Sequence, residues 1–255
     1  LMSAAPTAGW PLAIALVLLV LIAVGAATAG GMRIRRDIVT ASVRAGAQLA
    51  VVSLAIAAVL GSVWWSAAFA LLMFTVATFT TARRVGAVPD IAWMALGLAA
   101  GVAPVLGLLF VSGTIPLNGP SLVPTAGIVI GGAMTANTLA GRRAFDELRH
   151  GVGAYEAALA LGMRRREAVL EVIRPSASEA LMPVLDQTRT VGLVTLPGAY
   201  VGVLLGGGTP LEAGAAQIMV LIGLLAAETI TVVVLVQLVA LGRVAPAALR
   251  ARLAA

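Results

Sequence analysis

The chain has 255 residues, of which 60% are hydrophobic and 11% charged, and its formal net charge is +6. A soluble domain is about one quarter charged, so this composition excludes an ordinary soluble protein and indicates one that lies in a lipid bilayer. The positive residues stand between apolar runs rather than on one continuous basic face, which argues against nucleic acid as a partner.

Seven apolar runs are candidates to cross a hydrocarbon core of about 30 Å, which a helix of roughly 20 residues spans. They predict an all-α, polytopic membrane bundle of about seven transmembrane helices. The sixth run is short and the fifth is rich in glycine, so six or eight crossings stay open. The predicted spans are 10–29, 38–60, 64–82, 91–112, 121–140, 191–206 and 211–241.

The arginines favour one orientation of these spans. Basic residues accumulate in cytoplasmic loops, and with the N-terminus outside every arginine except Arg44 falls in an inner loop. We therefore expect a multi-pass protein of the bacterial plasma membrane with a cytoplasmic C-terminus. The first run carries its positive charge after its apolar core, which favours a retained span over a cleaved secretory signal.

Polar residues at helical spacing mark the start of the second span. Arg44 and Gln48 continue a stripe that begins with Asp37 and Thr40. Polar groups inside a membrane often face a substrate path, which makes Arg44 and Gln48 candidates for one. Arg44 is only about two turns from the cytoplasmic end, so the alternative is that its side chain reaches the headgroups.

Three GxxxG spacings, at 97–101, 127–131 and 202–206, each put two glycines on one helix face. Such faces let two helix backbones approach closely. We expect tight packing at two of the three.

Charged residues return at helical spacing between 142 and 190, so this stretch is predicted to be a cytoplasmic helical region. Its spacing resembles the EAA signature of ABC-transporter permeases, in which a short helix docks on a separate ATPase. Gly162 is predicted to separate two short helices, since a residue without Cβ tolerates the turn between them. The candidate coupling residues are Glu156, Ala157, Ala158, Gly162, Arg165 and Pro175.

The small side chains of this motif suit insertion into a groove on an ATPase. The alternative is an amphipathic helix that lies on the lipid headgroups, which an arginine-rich face also favours. All 17 basic residues are arginine, and an ATP-binding P-loop needs a lysine, so the ATPase must be another polypeptide. ATP and Mg²⁺ are expected on that partner, and no cofactor is expected in this chain.

A polar run enters the sixth predicted span, and a proline then interrupts it. The run begins at Asp186, and Thr195 precedes Pro197, which removes a backbone donor. Carbonyl groups freed at membrane depth need protein or water around them. The break therefore indicates either a substrate path, as in the broken helices of transporters, or an ordinary proline kink.

The last span carries two polar residues on one face. Thr209 and Glu212 form a capping-box pattern that predicts where this helix begins. Gln217 and Glu228 follow, eleven residues apart, which is close to three helical turns. A carboxylate near the middle of a bilayer costs a few kcal/mol, so Glu228 should be paired, protonated or hydrated. A functional role and a neutral packing contact both stay open.

Several runs together resemble the FetB iron-export permeases and the plant aluminium-tolerance permeases. The runs are 43–49, 131–134, 160–162, 190–198 and 217–220. The resemblance implies one permease domain over 1–255, a FetA-like ATPase, two copies of each subunit, and export of iron or another metal. That family tends to show the run GNxM. In the corresponding run of this chain, which ends at Met134, Gly132 stands in place of the asparagine and its side-chain amide. Any role of that amide is absent here or is taken by Asn137.

A metal path in this chain would have to use oxygen ligands, because no cysteine is present and His150 is the single histidine. Such ligands fit a weakly held, transient or chelated cargo. Two other functions stay open. A polytopic enzyme acting on lipid substrates would need clustered carboxylates or a histidine centre. An ATP-independent channel or carrier would leave the EAA pattern unexplained.

Overall fold

The structure, a computed structural model, describes residues 9–246 and 249–250. Six helices in this part of the chain are long and apolar enough to cross a membrane, which confirms a polytopic helical membrane protein. The chain divides into two compact units, Leu1–Val59 and Leu60–Ala255. The α-helices are α1 (Trp10–Ala29), α2 (Arg35–Leu60), α3 (Val63–Val85), α4 (Ile91–Val111), α5 (Gly119–His150), α6 (Val152–Ala160), α7 (Arg165–Ser178), α8 (Met182–Thr190), α9 (Gly198–Leu205) and α10 (Pro210–Ala240).

The first unit holds α1 and nearly all of α2, which a tight turn connects. The Gly30 N–H donates to the Ala26 carbonyl at 2.9 Å, and the Met32 N–H donates to the Ala27 carbonyl at 2.9 Å. Gly31 between them has a φ of 68°, a left-handed conformation that glycine adopts without strain. Both predicted spans of this unit are therefore confirmed as helices.

The second unit is built around α3, α4, α5 and α10, and α10 packs closely against α4 and α5. The GxxxG pair of α4 allows this approach. A Cβ added at Gly101 would collide with the Thr231 side chain and the Ala227 carbonyl, and one added at Gly97 would touch Leu238. Tight pairing is confirmed at 97–101 alone, because an added Cβ at Gly131 or at Gly202 would have no atom within 4 Å.

Two apolar clusters fill the second unit at successive levels along the helices. α3 passes from Ala77 in one cluster to Ala82 in the other, and α10 passes from Ala227 to Val232. Buried polar side chains lie where one cluster gives way to the other, so an otherwise apolar bundle contains a polar layer. These side chains are Thr78, Thr81, Asn137, Thr138, Glu228 and Thr231.

The segment after α10 is tied to the turn between α3 and α4. Asp90 is buried, and its carboxylate accepts hydrogen bonds from the Ala245 N–H at 3.1 Å and from the Arg250 guanidinium at 2.5 Å. The guanidinium of Arg243 lies 4.9 Å from the ring centre of Trp93, at the start of α4. These contacts join the C-terminal end of α10 to the N-terminal end of α4.

The predicted span 191–206 is wrong as a continuous helix. α8 ends at Thr190, a turn follows, and α9 begins only at Gly198. In the turn the Gly192 N–H donates to the Thr195 carbonyl at 2.9 Å, and Gly192 has a φ of 81°. Pro197 precedes α9 in an extended conformation and has no N–H to continue a helix from α8.

The stretch from α7 to α9 nevertheless runs antiparallel to α10 along its full length. Near the C-terminal end of α10, Arg166 of α7 donates to Gln237 at 2.5 Å. Near its N-terminal end, the Tyr200 N–H of α9 donates to Gln217 at 3.2 Å. The stretch from α7 to α9 therefore connects the two ends of the bundle and takes the place of the predicted sixth span.

Candidate functional site

The predicted coupling region forms a helical hairpin of α6 and α7. α6 ends at Ala160, and Gly162 has a φ of 87°, which allows the sharp turn into α7. The Met163 N–H closes this turn by donating to the Ala158 carbonyl at 3.1 Å. The prediction that Gly162 separates two short helices is confirmed.

α7 anchors this hairpin to the bundle. Its buried face, which includes Ala168, Val169 and Ile173, belongs to the same apolar cluster as the C-terminal halves of α5 and α10. Arg143 of α5 also forms an ion pair with Glu179, just beyond the end of α7. α7 is therefore packed against α5 and α10, the two longest helices of the bundle.

α6 presents a small-residue surface to the outside. Glu156, Ala157 and Ala160 are exposed, and Leu161 at the turn is 82% exposed. Ala158 was expected on this docking surface, but it is buried in the apolar cluster together with Tyr155, so a larger residue there would disturb packing instead. The reason is the helical period: residues 155 and 158 share the face that α7 covers.

The two remaining coupling residues lie on α7. Arg165 is exposed at the first position of the helix, next to the hairpin turn. Pro175 is exposed inside α7, and the helix continues past it to Ser178. Pro175 therefore does not end the second helix of the hairpin.

The start of α7 is stabilised by a local charge pair. The Glu167 carboxylate accepts from the Arg164 guanidinium at 2.6 Å and from the Arg164 backbone N–H at 3.0 Å. These bonds, the guanidinium first, lower the pKa of Glu167 below its ordinary value. The pair therefore stabilises the first turn of α7 above about pH 4.3, and this contribution disappears as the pH falls through the lowered pKa.

A groove of about 250 Å³ lies between α5, α8 and α10. Gly131 and Gly132 form its wall on α5, and its polar lining consists of Thr135, Gln187 and Glu228. The hydroxyl group of Thr135 donates to the Gly131 carbonyl at 3.0 Å, which leaves the hydroxyl oxygen free to accept.

Glu228 forms the charged part of this groove. The residue is only 7% exposed, and among the described residues it makes no hydrogen bond or ion pair. A Cβ added at Gly132 would lie 2.6 Å from Glu228 Oε1 and would also collide with Leu224. The missing side chain at position 132 is therefore what gives the carboxylate its room.

Of the residues predicted for the broken span, none lines this groove. Asp186 is exposed and lies 3.5 Å from Arg189 in an ion pair. Thr195 is exposed in the turn, where its carbonyl accepts from Gly192, and Pro197 precedes α9. Gln217, which was predicted on the last span, does not line the groove either. It is buried in α10, and its side-chain oxygen accepts from the Tyr200 N–H at the start of α9.

Met134 and Asn137 lie on α5 but do not line the groove. Met134 packs against the apolar cluster that contains Ala133, and Asn137 is fully buried in the polar layer. Asn137 follows Gly132 by five residues, which turns it to a different face of the helix. It therefore does not supply an amide to the groove, contrary to the possibility raised above.

Three side chains of the polar layer have buried polar atoms without a hydrogen-bond partner in the described ranges. They are Thr78, Thr231 and Asn137, whose oxygen and nitrogen are both unpaired. In contrast, Thr81 and Thr138 bond each other at 2.9 Å. The layer as a whole is thus only partly satisfied by the protein.

Arg44 and Gln48 belong to the first unit, where they lie one turn apart on the same face of α2. Their predicted role in a substrate path stays a prediction.

Sequence reasoning missed two residues of the groove, Thr135 and Gln187. Thr135 follows Gly132 by three residues, so helical spacing places both on one face of α5. Gln187 stands in the polar run that drew attention to Asp186, and only the packing of α8 shows which of these neighbours faces α10. Within residues 9–246 and 249–250, no group of three histidine, cysteine or acidic residues forms a metal cluster.

Residues 10–242 match the family model described as "Uncharacterised protein family (UPF0014)". No solved structure matches the chain.

Three relatives show how far the likeness extends. Protein ALUMINUM SENSITIVE 3 of Arabidopsis thaliana is 35% identical over 63% of this chain and 59% of its own length. UPF0014 membrane protein STAR2 of Oryza sativa subsp. japonica is 36% identical over 63% of this chain and 57% of its own length. Probable iron export permease protein FetB of Escherichia coli (strain K12) is 33% identical over 56% and 54%, respectively. The matched part thus spans less than two thirds of these relatives.

Proposed function

Because this chain belongs to the UPF0014 family, we propose that it is the membrane-spanning permease subunit of an ABC transporter. Its proposed activity is the export of iron, another metal ion or a metal chelate across the bacterial plasma membrane. The relative named as a probable iron export permease supports this cargo. ATP and Mg²⁺ bind a separate FetA-like ATPase, and two permeases assemble with two ATPases.

The α6–α7 hairpin is the observation that carries this proposal. It exposes alanines and Leu161 at its tip while α7 stays fixed to α5 and α10. A docking element needs this combination, because a flexible attachment would absorb the movement of the motor. A helix lying on headgroups would bury its apolar tip in lipid and would need no rigid anchor on the bundle.

The distribution of arginine supports a cytoplasmic position for the hairpin. In the described part of the second unit, arginines lie in the C-terminal parts of α3 and α5 and just after the end of α10, at the same end of the bundle as the hairpin. The loop between α4 and α5, at the opposite end, contains none. Basic residues collect on the cytoplasmic side of membrane proteins, where the ATPase resides.

The proposed transport mechanism is alternating access. Closure of the two ATPases around ATP displaces the hairpins, and α7 passes the displacement to α5 and α10. Both helices border the groove that contains Glu228. The break between α8 and α9 lets this wall of the groove change shape without unfolding a long helix.

The docking test uses permease and FetA-like ATPase reconstituted together in lipid vesicles. Ala157→Trp and Leu161→Asp alter the exposed tip without changing the buried face of α6. A misfit at a packed interface costs about 1–3 kcal/mol, so we expect permease-stimulated ATP hydrolysis to fall about tenfold or more.

Ser178→Trp is the matched control, because it adds the same bulk at an exposed position at the other end of α7. This variant should retain stimulated ATP hydrolysis. Size-exclusion chromatography of all variants shows whether they are folded. Full stimulation by both folded tip variants would overturn the docking role, and ATP-independent transport would identify a carrier.

A further inference from the structure

We infer that the groove between α5, α8 and α10 is a binding site for a partly hydrated metal cation, with Glu228 as its charged ligand. This inference deepens the proposed function, on which it rests for the identity of the cargo. It depends on four properties of the groove: an unpaired buried carboxylate, neutral oxygen donors around it, free volume, and the close approach of the Gly132 backbone to the carboxylate.

The groove contains one carboxyl group and no positively charged side chain. This carboxyl group belongs to Glu228, which is more than nine-tenths buried. An isolated carboxylate in a low-dielectric region is unstable unless a cation or a proton neutralises it. The side chain faces a space that a ligand can enter, rather than a packed wall.

The remaining donors are oxygen atoms of the kind that bind hard cations. The Thr135 hydroxyl oxygen keeps free lone pairs while its proton is donated to the Gly131 carbonyl. Gln187 adds a side-chain amide oxygen from the facing wall of α8. Carboxylate, hydroxyl and amide oxygens are preferred by Mg²⁺, Mn²⁺ and similar ions over softer metals.

The size of the groove favours a hydrated metal ion over a proton alone. A protonated carboxylic acid needs no space beyond its own atoms, whereas the groove offers about 250 Å³. A water molecule occupies about 30 Å³ in the liquid, so the groove accommodates an ion with several of its waters. One carboxylate provides little charge, so binding should be weak, with a Kd of about 0.1–1 mM as in low-affinity cation sites.

Gly132 of α5 leaves the space that the Glu228 carboxylate occupies. An added Cβ there would occupy the position next to Glu228 Oε1 and would push against Leu224. Gly131 differs, because an added Cβ at that position has no atom within 4 Å. Of these two glycines only Gly132 limits the space of the carboxylate, so Gly132→Ala should displace the carboxylate and weaken binding.

Titration of the purified full chain with Mn²⁺ in lipid nanodiscs, followed by the electron paramagnetic resonance signal of the free ion, tests the site. We expect one weak site per permease, at least tenfold weaker binding by Glu228→Gln, and severalfold weaker binding by Gly132→Ala. Glu147→Gln, which removes an exposed carboxylate, and Gly107→Ala, which adds a methyl group with no atom within 4 Å and away from the groove, should bind like the original chain. Thermal unfolding of each variant verifies that it is folded.

Unchanged Mn²⁺ affinity in folded Glu228→Gln, or no Mn²⁺ binding by the original chain, would overturn the site; in the second case a proton neutralises Glu228. Displacement of bound Mn²⁺ by millimolar Na⁺ would also overturn the site, because a site for a divalent metal cargo must prefer that ion to Na⁺. The titration needs no ATPase. A failure of the cation site appears in the Mn²⁺ titration, and a failure of the proposed ATPase coupling appears in the ATP hydrolysis assay. The two failures can therefore be told apart.

Discussion

Gly101 and Gly107 lie on the same helix, α4, in very different surroundings. An added Cβ at Gly101 would collide with Thr231 and the Ala227 carbonyl of α10, whereas one at Gly107 would have no atom within 4 Å. The first glycine allows two helices to meet, and the second only adds backbone freedom. This contrast separates the packing effect of a glycine from its effect on helix propensity.

Gly101→Ala should lower the free energy of unfolding by about 1–3 kcal/mol, because the added methyl group forces α4 and α10 apart. Gly107→Ala should be neutral or stabilising by up to about 1 kcal/mol, since alanine is the better helix former. Thermal or denaturant unfolding in detergent measures both. Equal stability of the two variants would contradict the close packing of α4 on α10.

At the same scale, the sequence indicates that a residue is unusual more readily than it indicates what the residue faces. The depth of Glu228 in an apolar run was sufficient to single it out, and its burial is confirmed. Asp186 is among the residues predicted for the substrate path and Gln187 is not, yet Gln187 is the one that lines the groove. The difference arises from how α8 is rotated against α10, which depends on contacts between residues far apart in the chain.

At the scale of elements, the turn between α8 and α9 is the feature that hydropathy did not predict. Residues 191–206 are apolar enough to suggest a span, but hydropathy measures solvent preference and not backbone conformation. Among the residues that the structure describes, none donates a backbone hydrogen bond to the carbonyls of residues 191–194 in this turn. Groups of this kind are tolerated at membrane depth only against protein or water, which is consistent with a position beside a transport path.

The turn depends on Gly192, whose φ of 81° is unfavourable for residues with a Cβ. Gly192→Ala should therefore destabilise the protein by about 1–2 kcal/mol and make the turn more accessible to protease. Gly198→Ala, at the first position of α9 with no atom within 4 Å of the added Cβ, is the control and should be nearly neutral. Identical melting temperatures for the two variants would exclude a strained turn.

Helix boundaries show the same limit of sequence reasoning. α5 was expected to end near position 140, where apolar residues give way to charged ones, but it continues to His150. Beyond 140 it is amphipathic: Ala144, Phe145 and Leu148 are buried in the cluster that holds α7. Such a face is stable only against a partner helix, so the length of α5 depends on tertiary packing.

At the scale of the whole molecule, the hairpin and the groove lie at different depths of the same bundle. The coupling motif was predictable because its residues are close together in sequence. The groove was not, because it combines α5, α8 and α10 from three separated stretches of the chain. Sequence reasoning therefore identified the proposed coupling hairpin more completely than the proposed cation site.

The proposed orientation puts the arginine-rich end and the hairpin in the cytoplasm. The chain has no cysteine, so single-cysteine variants report on one position at a time. With a membrane-impermeant maleimide on intact cells, Leu117→Cys in the loop between α4 and α5 should be labelled. Leu161→Cys at the exposed tip of the hairpin should be labelled only after lysis. The reverse pattern would place the hairpin out of reach of any ATPase and would overturn the transporter proposal.

The bond between Asp90 and Arg250 joins positions 160 residues apart. During biosynthesis, the start of α4 leaves the ribosome long before the partner of its buried carboxylate has been translated. The nascent chain must hold Asp90 without these partners until its last segment emerges. A prematurely terminated chain that stops after α10 would keep this defect permanently, which gives cellular quality control a chemical mark by which to recognise it.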